Sequence, residues 1–202
     1  MPGGGPKRQE RGKRRIESIL DAAAAVFADV GYDAASTNRI AAAAGISPGS
    51  LYQFFANKQA IAEALTTRYV ADMEAMYDSA LDPRRATLPL PEMIDRVVDE
   101  MVAFHVANPA AKALLAGADI SAELAAATES LHTAMCGRVE DLIAASAPGL
   151  PRDDLARTAE VAVQITKALL PMVLAAPAAE RDAVVAELKR ALVGYLRTTV
   201  SA

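Results

Sequence analysis

Residues 36–58 read Ser-Thr-Asn-Arg-Ile-Ala-Ala-Ala-Ala-Gly-Ile-Ser-Pro-Gly-Ser-Leu-Tyr-Gln-Phe-Phe-Ala-Asn-Lys, a segment that predicts two short helices joined by a tight turn. Ser36 and Ser47 each stand where an N-cap hydroxyl accepts a hydrogen bond from a free first-turn amide. Gly45 suits the left-handed conformation that ends a helix, and Pro48 suits the first turn of the next one. Two helices in this relation form a helix-turn-helix, whose second helix lies in the major groove of duplex DNA.

A longer series of residues between positions 16 and 62 follows a known pattern. The series is Ile19-Leu20-Asp21-Ala22-Ala23, Phe27, Gly31-Tyr32, Ser36-Thr37, Ile40-Ala41, Ala44-Gly45-Ile46-Ser47, Gly49-Ser50-Leu51-Tyr52, Phe55 and Asn57-Lys58. This part of the chain resembles the DNA-binding domain of the TetR family of bacterial transcriptional regulators. Phe54 and the pair Asn38-Arg39 depart from the family pattern, and these positions bear on which base sequence is read.

The whole chain is expected to be all-α, because no alternating strand pattern occurs and alanine is abundant. Residues 1–9, with three glycines and two prolines, are predicted to form a flexible basic arm. Residues 10–58 are predicted to form a three-helix, helix-turn-helix DNA-binding domain. A connecting helix is expected at 58–81. The resemblance implies that 59–202 form a helical ligand-binding and dimerisation domain, which gives about nine helices in total.

Charge is divided unevenly along the chain, whose net charge is −4. Residues 1–58 carry 8 Lys/Arg against 5 Asp/Glu, a net charge of +3, and the remainder carries 13 against 20, a net charge of −7. Six of the first eight basic residues lie between Lys7 and Arg15. Such a run is often only a solvated tail, but next to a helix-turn-helix it is suited to contacting backbone phosphates.

Eight residues are candidates for DNA contact. Phosphate contacts are expected from Thr37, Ser47, Tyr52 and Lys58, base-edge contacts from Arg39, Ser50 and Gln53, and close backbone approach at Gly49. Gln53 could read adenine and Arg39 guanine, each pair being worth about 1 to 3 kcal/mol of discrimination. The alternative for Tyr52 is a half-buried ring that holds the small core. For Arg39 it is a side chain directed to solvent or to a carboxylate.

The last two helices, expected at about 153–175 and 178–199, are apolar on more than one side. A helix of this kind has a second surface to bury. In the TetR family a second subunit covers that surface, so the resemblance implies a homodimer through the last two helices. Two-fold pairing would place the two reading helices about 34 to 36 Å apart, which is one duplex turn, and the DNA operator is therefore expected to be palindromic.

The resemblance also implies a small-molecule pocket in the C-terminal helices, whose occupancy pivots the connecting helix. Its candidate lining residues are Met101, Phe104, His105, Met135, Val139 and Gln164. A stripe of methionine and aromatic residues at helical spacing is more often core than pocket. The ligand is unknown. His132 is expected to be exposed, and Cys136 is expected to be a small buried hydrophobe.

Catalytic chemistry finds little support in this sequence. Two distant histidines, one cysteine, no Gly-rich phosphate loop and no metal-spaced cluster predict a protein that is not an enzyme, with no catalytic residue, metal or cofactor. The lone Cys136 fits a reducing compartment, and the cytoplasm is expected. The longest apolar stretch, 12 residues between Lys167 and Glu180, contains Pro171 and Pro177 and is too short and broken to cross a membrane.

The sequence thus predicts a sequence-specific DNA-binding transcriptional regulator, most readily a repressor released from its operator by a small-molecule inducer. A non-catalytic helical ligand-binding or carrier protein is the alternative class. The positive N-terminal segment and the capped second helix favour the regulator, because a carrier has no use for either feature. An activator of the same family would use the same residues.

Overall fold

The computed structural model describes residues 6–115 and 122–200, with side chains at 10–111, 114 and 129–199. These ranges contain nine α-helices, one short 3-10 helix and no strand, which confirms the all-α prediction. The α-helices are α1 Pro6–Ala34, α2 Thr37–Ala43, α3 Pro48–Tyr52, α4 Lys58–Ala80, α5 Leu90–Ala107, α6 Pro109–Leu115, α7 Ala122–Ser146, α8 Arg152–Ala175 and α9 Ala178–Val200. The 3-10 helix is Pro83–Thr87.

The chain divides into two compact units, each with its own apolar core. The first unit comprises Met1–Val70 and Asn108–Ala125, and the second comprises Ala71–Ala107 and Ala126–Ala202. The domain boundary at residues 58 and 59 stays a prediction. Two features differ from it: α6 belongs to the first unit rather than to the C-terminal part, and α4 contributes residues to both units.

The core of the first unit joins α1, α2, α3, α6 and the first part of α4. Its fully buried large side chains are Ile19 and Phe27 of α1, Ile40 of α2, Leu51 of α3, and Ile61 and Leu65 of α4. Each such side chain contributes roughly 1.5 to 3 kcal/mol by leaving water. α6 packs against α1, with Ala110, Ala111 and Leu114 buried. This core fixes the orientation of the short α3.

The first helix differs from its prediction at its start. Residues 6–9 lie in α1 rather than in a flexible arm. The reason is local: Pro6 occupies a first turn, where a proline costs no hydrogen bond, and the residues that follow it favour helix. The predicted stop at Gly31 is visible as a break in helical geometry, with φ of 76° and ψ of 168°. That positive φ is readily adopted by glycine alone.

The core of the second unit joins α5, α7, α8, α9 and the last part of α4. Val98 of α5, Val173 of α8 and Leu188 of α9 are fully buried at its centre. Leu192, one turn after Leu188, is also buried, so this side of α9 packs within its own chain. The predicted pairing through the last two helices stays a prediction, and this side of α9 is not available for it.

Candidate DNA interface and apolar cavity

The turn between α2 and α3 is built by side-chain caps. Ser36 Oγ accepts a hydrogen bond from the Arg39 amide at 3.2 Å, and Ser47 Oγ accepts one from the Ser50 amide at the same distance. Gly45 adopts a φ of +65° between the two helices. These caps satisfy amides that have no partner within their own helix, which is why a helix of only five residues can be stable here.

Six of the eight predicted DNA-contact residues lie on α2, on α3 or next to α3, are exposed or partly exposed, and are together called the polar face. They are Thr37, Ser47, Gly49, Ser50, Tyr52 and Gln53. The opposite side of α3 anchors it through Leu51, which is fully buried. Tyr52 is 52% exposed, and its hydroxyl lies 3.0 Å from Thr37 Oγ1, while Ser47 Oγ and Ser50 Oγ also lie 3.0 Å apart. The ring of Tyr52 is thus a surface feature that is tied to α2.

Arg39 is not free beside the polar face. Its guanidinium donates a hydrogen bond to Asp29 Oδ2 at 2.6 Å, and both side chains are more than half exposed. The carboxylate alternative considered for Arg39 is therefore the arrangement found. An exposed ion pair of this kind contributes little stability, about 0 to 1 kcal/mol, so it can exchange for another partner.

Lys58 has an internal role that the sequence did not suggest. Its ammonium donates hydrogen bonds to the Tyr32 carbonyl at 2.8 Å and the Asp33 carbonyl at 3.2 Å, and it lies 4.4 Å from the centre of the Tyr32 ring. Asn57 Oδ1 meanwhile accepts from the Ala60 amide at 2.8 Å and caps α4. The start of α4 is thereby fastened to the end of α1, and two of the three N–H donors of the Lys58 ammonium are used within the protein.

The second unit contains an apolar cavity. Its enclosed volume is about 70 Å³, and the empty space in and around it, part of it open to solvent, totals about 670 Å³. Residues of α4, α5, α7, α8 and α9 line it: Met76, Tyr77, Ala80, Leu81, Met93, Ile94, Val97, Val98, Met101, Met135, Val139, Leu142, Ile143, Ala162, Val163, Thr166, Leu192 and Leu196. A ligand larger than a few waters would have to move these walls, and flexible methionines allow such movement.

Three of the six predicted pocket residues line this cavity, namely Met101, Met135 and Val139. Phe104 and His105 lie one turn beyond Met101, at the end of α5, where their rings meet edge to face at 5.6 Å. Burial lowers the pKa of His105. Gln164 is exposed and donates to Glu160 Oε1 at 2.6 Å, so it faces away from the cavity.

Tyr77 is the polar lining residue that sequence reasoning missed. Thr166, which also lines the cavity, already donates to the Ala162 carbonyl within its own helix at 3.0 Å. Burial raises the pKa of Tyr77 to about 12, so its hydroxyl remains neutral over the physiological range. It falls four residues after Met73 and one after Met76, where the sequence showed only an apolar helical stripe.

Two domain profiles of one protein family match separate parts of the chain. The profile described as bacterial regulatory proteins, tetR family, matches residues 19–65, and that described as tetracyclin repressor-like, C-terminal domain, matches residues 89–196. The chain belongs to the TetR family.

Individual TetR-family proteins are similar in sequence to this chain over parts of their length. The A-factor receptor protein of Streptomyces griseus is 40% identical over 67 residues, which are 33% of this chain and 24% of that protein. An HTH-type transcriptional repressor of Mycobacterium tuberculosis is 31% identical over 116 residues, 56% of this chain and 62% of that protein. The chain therefore spans less than two thirds of either relative.

A solved structure extends the likeness to nearly the whole TetR-family chain. It is a TetR-family transcriptional regulator from Streptomyces coelicolor, 26% identical, with a TM-score of 0.63. The alignment covers 93% of this chain and 98% of that one.

The outer side of α8 in this TetR-family protein carries a second apolar stripe. Val161, Ile165, Ala168 and Met172 recur at offsets of three and four on one side of α8, where Ala168 and Met172 are exposed and Ile165 is partly buried against the core. Met172 is 58% exposed. By length and composition alone α8 is apolar enough to cross a membrane, but its other side packs into a protein core, as in soluble helical proteins. This packing leaves the side chain of Met172 in the outer stripe exposed to solvent.

A further cluster joins α7 to α8. Sequence reasoning found no metal-spaced group, yet the structure brings together His132, Cys136 and Glu160, with one ligand atom from each within 4.8 Å of the others. The side chain of His132 is 23% exposed rather than fully so. Burial and the neighbouring Glu160 carboxylate raise the pKa of the Cys136 thiol to about 11. Hydrogen bonds from Gln164 and Cys136 lower the pKa of Glu160.

Proposed function

We propose that this protein is a sequence-specific DNA-binding repressor that holds a palindromic operator with its polar face and is released by a small apolar molecule. The observation that carries the proposal is the polar face itself, which presents hydroxyl and amide groups around the N-terminal end of α3 on a rigid apolar anchor, Leu51. Helix N-termini and such groups are suited to phosphates and base edges. The repressor from Mycobacterium tuberculosis supports the direction of regulation.

The residues divide by chemistry. Gln53 is exposed at the end of α3 and would read a base edge through its amide, with Ser50 beside it. Thr37, Ser47 and Tyr52 would donate their hydroxyls to backbone phosphates. Gly49 presents no side chain, so the duplex backbone can approach α3 closely.

Two of the predicted contact residues already have partners within the protein, and their proposed roles differ accordingly. Arg39 would exchange its exposed pairing with Asp29 for a guanine or a phosphate on binding. Lys58 acts as a positioning residue, because its ammonium is committed to the carbonyls of Tyr32 and Asp33.

The inducer is proposed to enter the cavity of the second unit. The almost wholly apolar lining of that cavity favours a small apolar molecule. Met76 and Tyr77 belong to α4, so a ligand that moves the cavity wall acts directly on this helix. Since the first turn of α4 is bonded to the end of α1 through Lys58, a displaced α4 would disturb the support of the polar face.

The proposed assembly is a homodimer through α8 and α9, with the outer stripe of α8 at its centre. Burying Met172 and its neighbours against a second copy would remove from water the large apolar side chain with the highest exposed fraction, 58%, in the described region. The two-fold axis would present two polar faces to one palindrome. The cytoplasm is the proposed location, since it holds the DNA of a bacterium.

Footprinting on the DNA that flanks its own gene tests the proposal. The full chain should protect a palindrome, and the logarithm of its affinity should fall linearly with the logarithm of salt concentration. Gln53→Ala should weaken binding by about 1 to 3 kcal/mol at the site and relax specificity at one base pair of each half-site. Gln59→Ala is the matched control, because the Gln59 side chain bonds Glu63 on α4, and it should leave the footprint unchanged.

Two results would reject the DNA proposal. One is weak retention that shows no sequence preference and disappears at moderate salt, which would leave only non-specific charge contacts. The other is a footprint that Gln53→Ala does not alter at any base pair, which would place the reading surface elsewhere on the protein.

A further inference from the structure

The cluster on α7 and α8 has the shape of a three-ligand metal site. His132 and Cys136 are four residues apart on α7 and so face the same side, and Glu160 reaches them from α8. Cys136 Sγ lies 3.9 Å from His132 Nε2 and 3.4 Å from Glu160 Oε2. His132 Nε2 and Glu160 Oε2 lie 3.9 Å apart. The three potential ligand atoms therefore form a nearly regular triangle.

The size of this triangle matches tetrahedral coordination. Zinc binds sulfur at about 2.3 Å and nitrogen or oxygen at about 2.0 to 2.2 Å, which at tetrahedral angles separates the ligand atoms by roughly 3.3 to 3.6 Å. The sulfur–oxygen separation of 3.4 Å lies within this range, and the two separations of 3.9 Å exceed it by about 0.3 to 0.6 Å, which small side-chain rotations can close. We propose that His132 Nε2, Cys136 Sγ and Glu160 Oε2 bind a divalent transition-metal ion of the zinc class, with the fourth position open to solvent.

One neighbouring side chain orients a ligand. Gln164 Nε2 donates to Glu160 Oε1 at 2.6 Å and leaves Oε2 for the ion. His132 turns Nε2 toward the other two ligands, and its Nδ1 is buried without a hydrogen-bond partner. The Glu160 side chain is 48% exposed, which gives a hydrated ion access from that side. The Cys136 thiol releases its proton to solvent as its sulfur binds.

The ligand set also selects the kind of ion. Thiolate and imidazole favour zinc, cobalt and their neighbours over magnesium and calcium, which prefer oxygen ligands. A bound ion would fasten α7 to α8 within the second unit, so the proposal adds an effector distinct from the apolar ligand of the cavity. It does not depend on the protein binding DNA.

Cobalt(II) titration of the reduced full-length chain, in a buffer without thiols, tests the site. One ion per chain should bind and give a thiolate-to-cobalt charge-transfer band together with the strong visible bands of four-coordinate cobalt, and zinc should abolish both. Cys136→Ser should remove the charge-transfer band. Glu160→Gln should raise the dissociation constant at least tenfold, and Gln164→Ala by about 10- to 100-fold, because it orients a ligand.

Asp141→Asn is the matched control, since this exposed carboxylate also lies on α7 but outside the cluster. Its titration should equal that of the unaltered protein. Zinc at a hundredfold excess over its dissociation constant should raise the melting temperature by about 5 to 10 °C, whereas magnesium should not. Absence of the charge-transfer band in folded protein, or a band that persists in Cys136→Ser, would overturn the proposal and leave only a hydrogen-bonded cluster.

Discussion

Replacement of Lys58 by methionine separates two roles for this residue. Methionine keeps the apolar stem but removes the ammonium that bonds the Tyr32 and Asp33 carbonyls. A hydrogen bond from a charged donor contributes about 1.5 to 3 kcal/mol. The cation over the exposed face of the Tyr32 ring adds about 0.5 to 1 kcal/mol. We count the longer, exposed bond to Asp33 as negligible, and we expect Lys58→Met to lower the free energy of unfolding by about 2 to 4 kcal/mol.

Urea unfolding measures this loss, and Lys58→Arg, which keeps the charge, is its control. Operator binding is then measured against salt concentration under conditions where the variant remains folded. Loss of a phosphate contact would reduce the slope of log affinity against log salt by about 0.9 for each contact. We expect the slope to stay unchanged. A reduced slope combined with unaltered unfolding would refute the positioning role and restore the phosphate contact predicted from the sequence.

Three further predictions concern the rest of the fold. The pKa of Tyr77 is about 12 in the folded protein and 10.0 ordinarily, so the unfolded chain ionises first as the pH rises. The free energy of unfolding should therefore fall between about pH 10 and 12 by roughly 2 to 3 kcal/mol more than in Tyr77→Phe. Urea unfolding at each pH measures this difference. Ala168→Glu combined with Met172→Glu should raise the dimer dissociation constant by at least about 1,000-fold, as measured by sedimentation. Ala156 is also exposed on α8, and Ala156→Glu should leave the dissociation constant unchanged. Equal effects of the two changes would place the interface elsewhere. Gly45→Ala should lower the free energy of unfolding in urea by about 1 to 2 kcal/mol, because alanine resists a φ of +65°. No neighbouring atom blocks an added Cβ at this position, so backbone strain is the whole expected effect. An unaltered stability would contradict that reasoning.

Features encoded locally were the ones that the sequence predicted well. The caps Ser36 and Ser47, the turn at Gly45 and Pro48 at the first turn of α3 each act within about four residues, and all lie where the pattern placed them. The nine helices follow from the same kind of signal. The start of α1 was misplaced because glycines and a proline in the first residues masked the helix that begins at Pro6.

Partners distant in sequence decided what could not be predicted. Lys58 was expected to contact a phosphate, and a carboxylate was only one alternative for Arg39. Their partners Tyr32, Asp33 and Asp29 are brought to them by folding. The same is true of the metal-type cluster. His132 and Cys136 already stood at helical spacing, and that signal was available, but Glu160 joins them from a separate helix 24 residues after the cysteine.

Phe104 and His105 lie outside the cavity for a different reason, which is their position along α5 and not the side of the helix that they occupy. Phe104 follows the side of α5 that Met101 presents to the cavity, but it lies one turn past the end of the empty space. Helical periodicity specifies the direction of a side chain around the axis and says nothing about where a cavity stops.

The paired hydroxyls of the polar face, Thr37 with Tyr52 and Ser47 with Ser50, have a kinetic consequence. They hold these side chains in one arrangement before any duplex arrives, so little conformational freedom remains to be lost on binding. Every DNA sequence meets the same ready surface, and encounter rates vary little between closely related complexes. The protein would therefore distinguish its operator from other DNA by how long the complex survives rather than by how quickly it forms.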